Sequence, residues 1–271
     1  MRTEAIRTAS WRKRRADWTK DKEFQQTCNV SVLDGDGAAE TLYIVGSITS
    51  YDDRIQAIGK AQNPHFGGRE IRNPGSRLRK TRAMRCGASA QNAVASAPRS
   101  QHRHPQGMRR AANRYLRSHA YSALKHDYKD LPPVEHISQV IARQGKSRKL
   151  ELNHVENGDN VYAYHDPCHF KRHNQIYDDR RDVLDAIPGL KRLEMSRCSH
   201  RSLCCGGGGV MLFHDPQESE RMGVERVQMA AEAGANVIVS ACPFCMVNIE
   251  GAIKVSGMEG KMTAIDLARR R

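Results

Sequence analysis

No run of eighteen apolar residues occurs anywhere in the 271-residue chain, which predicts no membrane-spanning helix. The N-terminus is rich in arginine but lacks the apolar stretch of a secretory signal. Glu4 and the acids that soon follow argue against an amphipathic targeting peptide. Aromatic residues make up only 6% of the chain, and between Ala61 and Ala120 the large aliphatic and aromatic residues are reduced to Phe66, Ile71, Leu78, Val94, Tyr115 and Leu116. Acids are scarcer still there: residues 61–120 hold 13 Lys and Arg against one acid, Glu70, so twelve of the fourteen net positive charges lie in this stretch. Basicity is therefore a local anomaly and not a surface-wide nucleic-acid signature. The arginines from Arg69 to Arg117 lack the aromatic interleaving of an RNA-binding surface, so a nucleic-acid-binding protein is the least favoured reading and no nucleic-acid partner is expected. A segment so poor in apolar side chains buries too little surface to offset its ordering entropy, about 1–2 kcal/mol per residue of backbone, and is expected to be disordered or poorly ordered.

What the chain does have is a concentration of cysteine. Cys204 and Cys205 are adjacent and run into Gly206, Gly207, Gly208 and Gly209. Cys168 lies upstream, and Cys242 and Cys245 lie downstream in Cys-Pro-Phe-Cys, giving C-x35-C-C-x36-C-x2-C. Two consecutive thiolates face one centre only if the backbone kinks between them, and glycines immediately after them let the chain approach without a Cβ in the way. Their N–H groups can also point at sulfur. The spacing points to a metal or iron–sulfur site assembled from three loops. It also fits a reducing compartment, and so a cytoplasmic location, better than a disulfide framework. No Lys-Ser or Lys-Thr follows the glycines, which excludes a phosphate-binding P-loop. Only 26 residues follow Cys245, too few for the elements a glutaredoxin-like fold places after its Cys-x-x-Cys pair. Cys28, Cys86 and Cys198 stand apart and read as ordinary thiols.

The pattern of apolar residues predicts alternating strands and helices, hence an α/β fold with mainly parallel sheets. Residues 1–26 read as a polar helix around Trp11 and Trp18. Strands are expected at 41–46, 161–164, 191–195 and 236–240. Helices are expected over 52–60, near Ile137–Ile141, over 175–187, from an Asp215 cap with Pro216 and Glu218 to Gly234, and from Cys245 onward. The helix capped by Asp215 would turn Val224, Val227 and Ala231 inward. Ligand-bearing loops would then leave the carboxyl ends of strands. The halves also echo one another. Val45-Gly46-Ser47 precedes Tyr51-Asp52-Asp53-Arg54 as His165-Asp166-Pro167-Cys168 precedes Tyr177-Asp178-Asp179-Arg180. This predicts two repeated strand–helix units, the first degraded and partly disordered, with Ser47, Arg117 and Ala120 where the second has Cys168, Cys242 and Cys245. The domain reading is 1–60, an N-terminal helix and the start of a degenerate first unit; 61–120, a basic segment; 121–154, the end of that unit and a connector; and 155–271, an intact cysteine-rich unit.

Tyr164-His165-Asp166-Pro167-Cys168, Glu194-Met195, Cys204 to Gly209, Ala241-Cys242-Pro243-Phe244-Cys245 and Ile265-Asp266-Leu267 together resemble the CCG-type cysteine-rich domain. That domain occurs in the B-type and D-type subunits of heterodisulfide reductase and in the iron–sulfur subunits of glycolate oxidase and anaerobic glycerol-3-phosphate dehydrogenase. The resemblance covers residues 161–271 most strongly. It implies that Cys168, Cys204, Cys205, Cys242 and Cys245 bind a [4Fe–4S] cluster, a noncubane one in some relatives, as part of an electron-transfer subunit of an oxidoreductase. It further implies a redox partner (a flavoprotein, a ferredoxin-domain protein or a membrane subunit) and, through that partner, a peripheral place at the inner membrane. No Cys-x2-Cys-x2-Cys run of the ferredoxin domain found in many relatives is present. His165 and His169 are candidates for extra ligands or, as the preferred reading, for orienting the loop and hydrogen-bonding around the ligands, with Gly206 and Gly207 as further candidates for such bonds. The alternative is a structural zinc module, since four thiolates close a tetrahedral site equally well. Residues 61–120 depart from the family, and their Arg/Ala/Pro/Ser composition matches out-of-frame reading of a GC-rich gene; translation of the coding DNA in the other two frames tests this. The contrast across residue 120 predicts that limited proteolysis of metal-loaded protein cuts first between Arg69 and Arg117. First cuts inside 160–260 would contradict the domain reading.

Overall fold

In the computed structural model the described residues are 22, 32–33, 41–44, 48–49, 52–62, 71–72, 112–115, 118–127, 133–147, 152, 154–155, 158–208, 211, 217 and 220–268. The expected helix around Trp11 and Trp18, the Asp215 cap with Pro216 and Glu218, and most of the basic segment lie outside them. The first half contributes β1 (Val32–Leu33), β2 (Thr41–Ile44), α1 (Asp53–Gln62), β3 (Ile71–Arg72), β4 (Ala112–Tyr115), α2 (Ser118–Asp127), β5 (Val134–His136) and α3 (Ile137–Lys146). The second contributes β6 (Tyr162–Tyr164), α4 (Cys168–Lys171), α5 (Asp179–Asp185), β7 (Arg192–Leu193), α6 (Met222–Glu232), β8 (Val237–Ser240), α7 (Pro243–Val255) and β9 (Thr263–Asp266).

Two sheets form, ordered β1-β3-β2-β4-β5 and β7-β6-β8-β9. Every pairing is parallel. The α/β class with parallel sheets is thus as the residue pattern predicts. Within the basic stretch, β3 and β4 are strands of the first sheet, an ordering that its composition does not signal.

The second sheet is buried on both faces, as a parallel sheet requires. Tyr162, Tyr164, Val237 and Val239 turn to one face and pack with Leu184 of α5. Ala163 and Ile238 turn to the other, against Val224, Val227 and Ala230 of α6 and Ile249, Ala252 and Ile253 of α7. The alternation follows the two-residue period of a strand. β8 is a β-branched run, Val237-Ile238-Val239, buried along its whole length. The helix expected to start at Asp215 begins at Met222, with Arg221 at its N-cap and no side-chain cap. Its inward row takes Ala230 and not Ala231, which is exposed. α7 starts earlier than expected, at Pro243, because proline suits the first helical turn and Cys242 serves as N-cap. β5, α4 and β9 are too short, or too polar at their ends, to stand out in the sequence.

The halves share a core. Ile55 and Ile58 of α1 and Ile137, Val140 and Ile141 of α3 pack with Val183 of α5, Met246 of α7 and Ala268. A second tie runs through Phe170, which is fully buried. Its ring lies 5.7 Å from that of Tyr121 and 4.1 Å from that of His136, both in the first half. The Arg180 guanidinium covers it from the second half, 3.8 Å from the ring centroid. Phe170→Ala is expected to destabilise the protein by about 3–5 kcal/mol, read as a lower urea midpoint at unchanged slope. A loss below about 1 kcal/mol would show that this contact does not join the halves.

Candidate metal centre

The order β7-β6-β8 makes the site. The chain leaves β6 for β7 on one side, then crosses over to place β8 on the other, so the carboxyl ends of β6 and β8 flank a reversal of strand order, where open α/β sheets bind their ligands. His165, Asp166 and Cys168 follow β6. The loop after β7 passes through a short 3-10 turn, Ser199–Arg201, and delivers Cys204 and Cys205. Cys242 follows β8 as the N-cap residue of α7, and Cys245 lies in that helix's first turn.

All five thiols meet. Hydrogen-bonding contacts run from Cys168 to Cys204, from Cys204 to Cys205, from Cys205 to Cys245 and from Cys245 to Cys242. Cys205, Cys242 and Cys245 are buried, while Cys168 and Cys204 are partly exposed and form the mouth. The contacts polarise the group. Accepting from Cys168 and Cys205, and from the backbone N–H of Gly206, drives the Cys204 thiol far below its usual range. Donating to Cys204 pushes Cys168 and Cys205 up, and contacts with Cys205 and Cys242 raise Cys245.

Backbone shape holds the sulfurs. Gly206 has φ +82°, a conformation that L side chains rarely adopt, and this reverses the chain just after the cysteine pair. Its N–H reaches Cys204 Sγ at 3.4 Å, and the Gly207 N–H reaches Cys205 Sγ at 3.4 Å. At Gly223 a Cβ would lie 3.1 Å from Ala252 Cβ and 3.2 Å from the Cys205 carbonyl oxygen, so its absence lets α6 close on α7 and on the cysteine loop. The Asn248 amide donates to that same carbonyl.

Asp166 is the hub that fixes the loops to one another. It is buried and pairs with Lys171 and, through both carboxylate oxygens at 3.0 Å, with Arg181. It also accepts from the Ser199 N–H at 3.2 Å, and its backbone carbonyl accepts from Ser202 Oγ. The Cys168 loop, the Cys204 loop and α5 are therefore joined through one residue. Burial lowers the Lys171 amine to about 8, against the pull of Asp166. Glu194 is held by Arg181 at 2.6 Å and by Arg192.

His165 is fully buried, and one of its ring nitrogens lies within 4.8 Å of Cys205 Sγ and Cys245 Sγ. Burial, with Arg226 beside it, lowers its basicity to about 4, so the ring is neutral. The His169 ring does not join this group; it stacks on His173 at 4.7 Å. Cys198 is partly exposed and outside the thiol chain, and Cys28 and Cys86 lie outside the described residues. Asp166, Arg226 and Asn248 hydrogen-bond to residues of the cysteine loops and are positions that sequence reasoning does not single out. Asp166 is marked only by its place between His165 and Cys168; nothing marks Arg226 or Asn248, which look like the polar positions of ordinary helices.

Residues 162–250 match the cysteine-rich domain family designated CCG, and the match contains all five clustered cysteines. A probable iron-sulfur-binding oxidoreductase, FadF, of Bacillus subtilis is 28% identical over 94% of this chain and 37% of its own length. The D-type subunit of the dihydromethanophenazine:CoB–CoM heterodisulfide reductase of Methanosarcina barkeri is 39% identical over 45% of this chain and 29% of its own. The B-type subunit of the fumarate reductase (CoM/CoB) of Methanothermobacter marburgensis is 32% identical over 35% of this chain and 19% of its own. The chain thus spans little more than a third of the longest-matched of these relatives. Among the described residues no helix is long and apolar enough to cross a membrane.

In metal-free, reduced protein at neutral pH, iodoacetamide is expected to modify Cys204 ahead of Cys168, Cys205, Cys242 and Cys245, because thiolate character and exposure coincide there. Peptide mapping that finds Cys205 or Cys245 labelled first would contradict this electrostatic arrangement.

Proposed function

Because residues 162–250 carry a cysteine-rich domain of the CCG family, we propose that this chain is an iron–sulfur electron-transfer subunit, or part of one, of an oxidoreductase. The observation that carries the reading is the continuous chain of five thiols at the carboxyl ends of three neighbouring strands. Five sulfur donors exceed the four that a tetrahedral zinc ion or one cubane cluster takes. Backbone N–H groups already aimed at sulfur and a buried histidine nitrogen beside the thiols suit a sulfur-rich centre further. Cys168, Cys204, Cys205, Cys242 and Cys245 would hold a [4Fe–4S] cluster, of noncubane form if all five bind. When bound, such a group supplies one-electron oxidation and reduction. The protein's part is to exclude water from the inner three sulfurs, orient all five, and present the Cys168–Cys204 edge to the outside.

Three named relatives, two of them components of multi-subunit reductases, support a redox partner that supplies or accepts the electrons and a location set by that partner. The matching strand orders β3-β2-β4-β5 and β7-β6-β8-β9 support two copies of one α/β unit, the first without the cysteine set and the second, residues 155–271, with it. A second reading, a structural zinc site, draws support from the compact grouping of His165, Cys205 and Cys245 within 4.8 Å.

Anaerobically purified Cys→Ser variants separate the two. At 168, 204, 205, 242 or 245, serine should lower iron content or alter the EPR spectrum, whereas Cys198→Ser should do neither. One zinc per chain, no iron, and a serine variant at one of the five that behaves like wild type would establish the zinc site instead.

A further inference from the structure

The charge behind the thiols is unbalanced. Arg226 and Arg180 are among the largest fully buried side chains, and Lys171 is buried with them. The buried carboxylate nearest these cations is Asp166, already paired with both Lys171 and Arg181. Glu194 is likewise taken by Arg181 and Arg192. Arg226 forms no ion pair with a described residue. Its Nη1 donates to the Arg197 carbonyl at 2.6 Å and contacts Met229 Sδ, and its Nη2 has no hydrogen-bond partner among the described residues. An isolated buried guanidinium is costly unless an anion compensates it. The negative groups acting on Arg226 are Asp166, Glu194 and Cys198, and the two carboxylates are already held by other cations.

The remaining nitrogen of Arg226 connects it to the thiol group. Arg226 Nε donates to His165 Nδ1 at 3.1 Å. Arginine is always a donor, so Nδ1 must be the acceptor, and a neutral ring then carries its proton on Nε2. That Nε2 is buried and has no partner among the described residues, in a ring placed beside Cys205 and Cys245. A protonated Nε2 is a hydrogen-bond donor and not a metal ligand.

Resting on the iron–sulfur reading, we propose that Arg226 and His165 are a positioning pair that sets the reduction potential of the centre. Arg226 fixes the ring in the tautomer whose Nε2–H donates to sulfur, and its own charge favours the state with one more electron. Both effects act in one direction. A hydrogen bond to sulfur and a nearby positive charge each stabilise the reduced form, so the pair raises the potential. In the redox change concerned, one electron enters from dithionite, no bond of the chain is made or broken, and His165 keeps its proton.

The test uses the full chain reconstituted with iron and sulfide. Arg226→Met should retain wild-type iron and show a more negative midpoint potential, by about tenfold in the one-electron equilibrium constant, which corresponds to 59 mV. Arg226→Lys, which keeps the charge, should recover part of that shift. Pulsed EPR of the dithionite-reduced wild-type chain, with 15N confined to histidine, should show one weak nitrogen coupling of the size carried through a hydrogen bond. An unchanged potential in iron-loaded Arg226→Met overturns the proposal, as does a strong coupling from direct Fe–N bonding or no histidine coupling at all. Should Arg226→Met fail to fold, the labelled wild-type spectrum decides alone. A wild-type chain that takes up no iron overturns the iron–sulfur reading and this inference with it, whereas iron uptake with an unmoved potential overturns the inference only.

Discussion

Five sulfur atoms linked in one chain of side-chain contacts are the constraint from which the rest of this structure follows. If ionised together they repel; if kept neutral together they cannot bind metal. The fold answers with a graded group: Cys204 is the thiol pushed down, by contacts with Cys168 and Cys205, and Cys242 and Cys245 lie at a helix N-terminus. Around it are N–H groups, a neutral histidine and buried cations. Asp166, the buried carboxylate nearest those cations, is consumed in tying loops together and adds no free negative charge to the site. Such a pocket suits a centre of net negative charge, and bound metal would relieve the repulsion among its thiolates.

The geometry depends equally on the sheet. Parallel strands with helices on both faces put all carboxyl ends on one edge, and the order β7-β6-β8 gathers three ligand loops there. Gly223 lets α6 approach α7 closely enough for Asn248 to hold the Cys205 carbonyl. Four strands of the first half, β3-β2-β4-β5, follow the same order beside an additional β1, and the first half supports the second through α1, α3 and the stack on Phe170. Support of the site, and not a second cysteine site, is the contribution visible among its described residues.

Much of the second half is legible in the sequence because its signals are local. Val237-Ile238-Val239 has no alternative to a buried strand, and Cys-Cys-Gly-Gly and Cys-Pro-Phe-Cys announce a shared centre by composition alone. The start of α6 is hard to place because Asp215-Pro216 resembles a helix cap more than Arg221 does, although the helix begins only after Arg221. Arg226 is illegible for another reason. An arginine on an amphipathic helix reads as solvated, and only the tertiary position of His165 makes its burial sensible. The strands at Ile71–Arg72 and Ala112–Tyr115 gain their pairing from neighbours distant in sequence, against a composition that opposes order.

The central claim is that the five thiols exist to hold an inorganic sulfur cluster. It is tested most directly by measuring iron, zinc and acid-labile sulfide together in the anaerobically purified 271-residue chain. Iron and labile sulfide in near-equal amounts, with zinc absent, is the result predicted. Zinc without labile sulfide would contradict it.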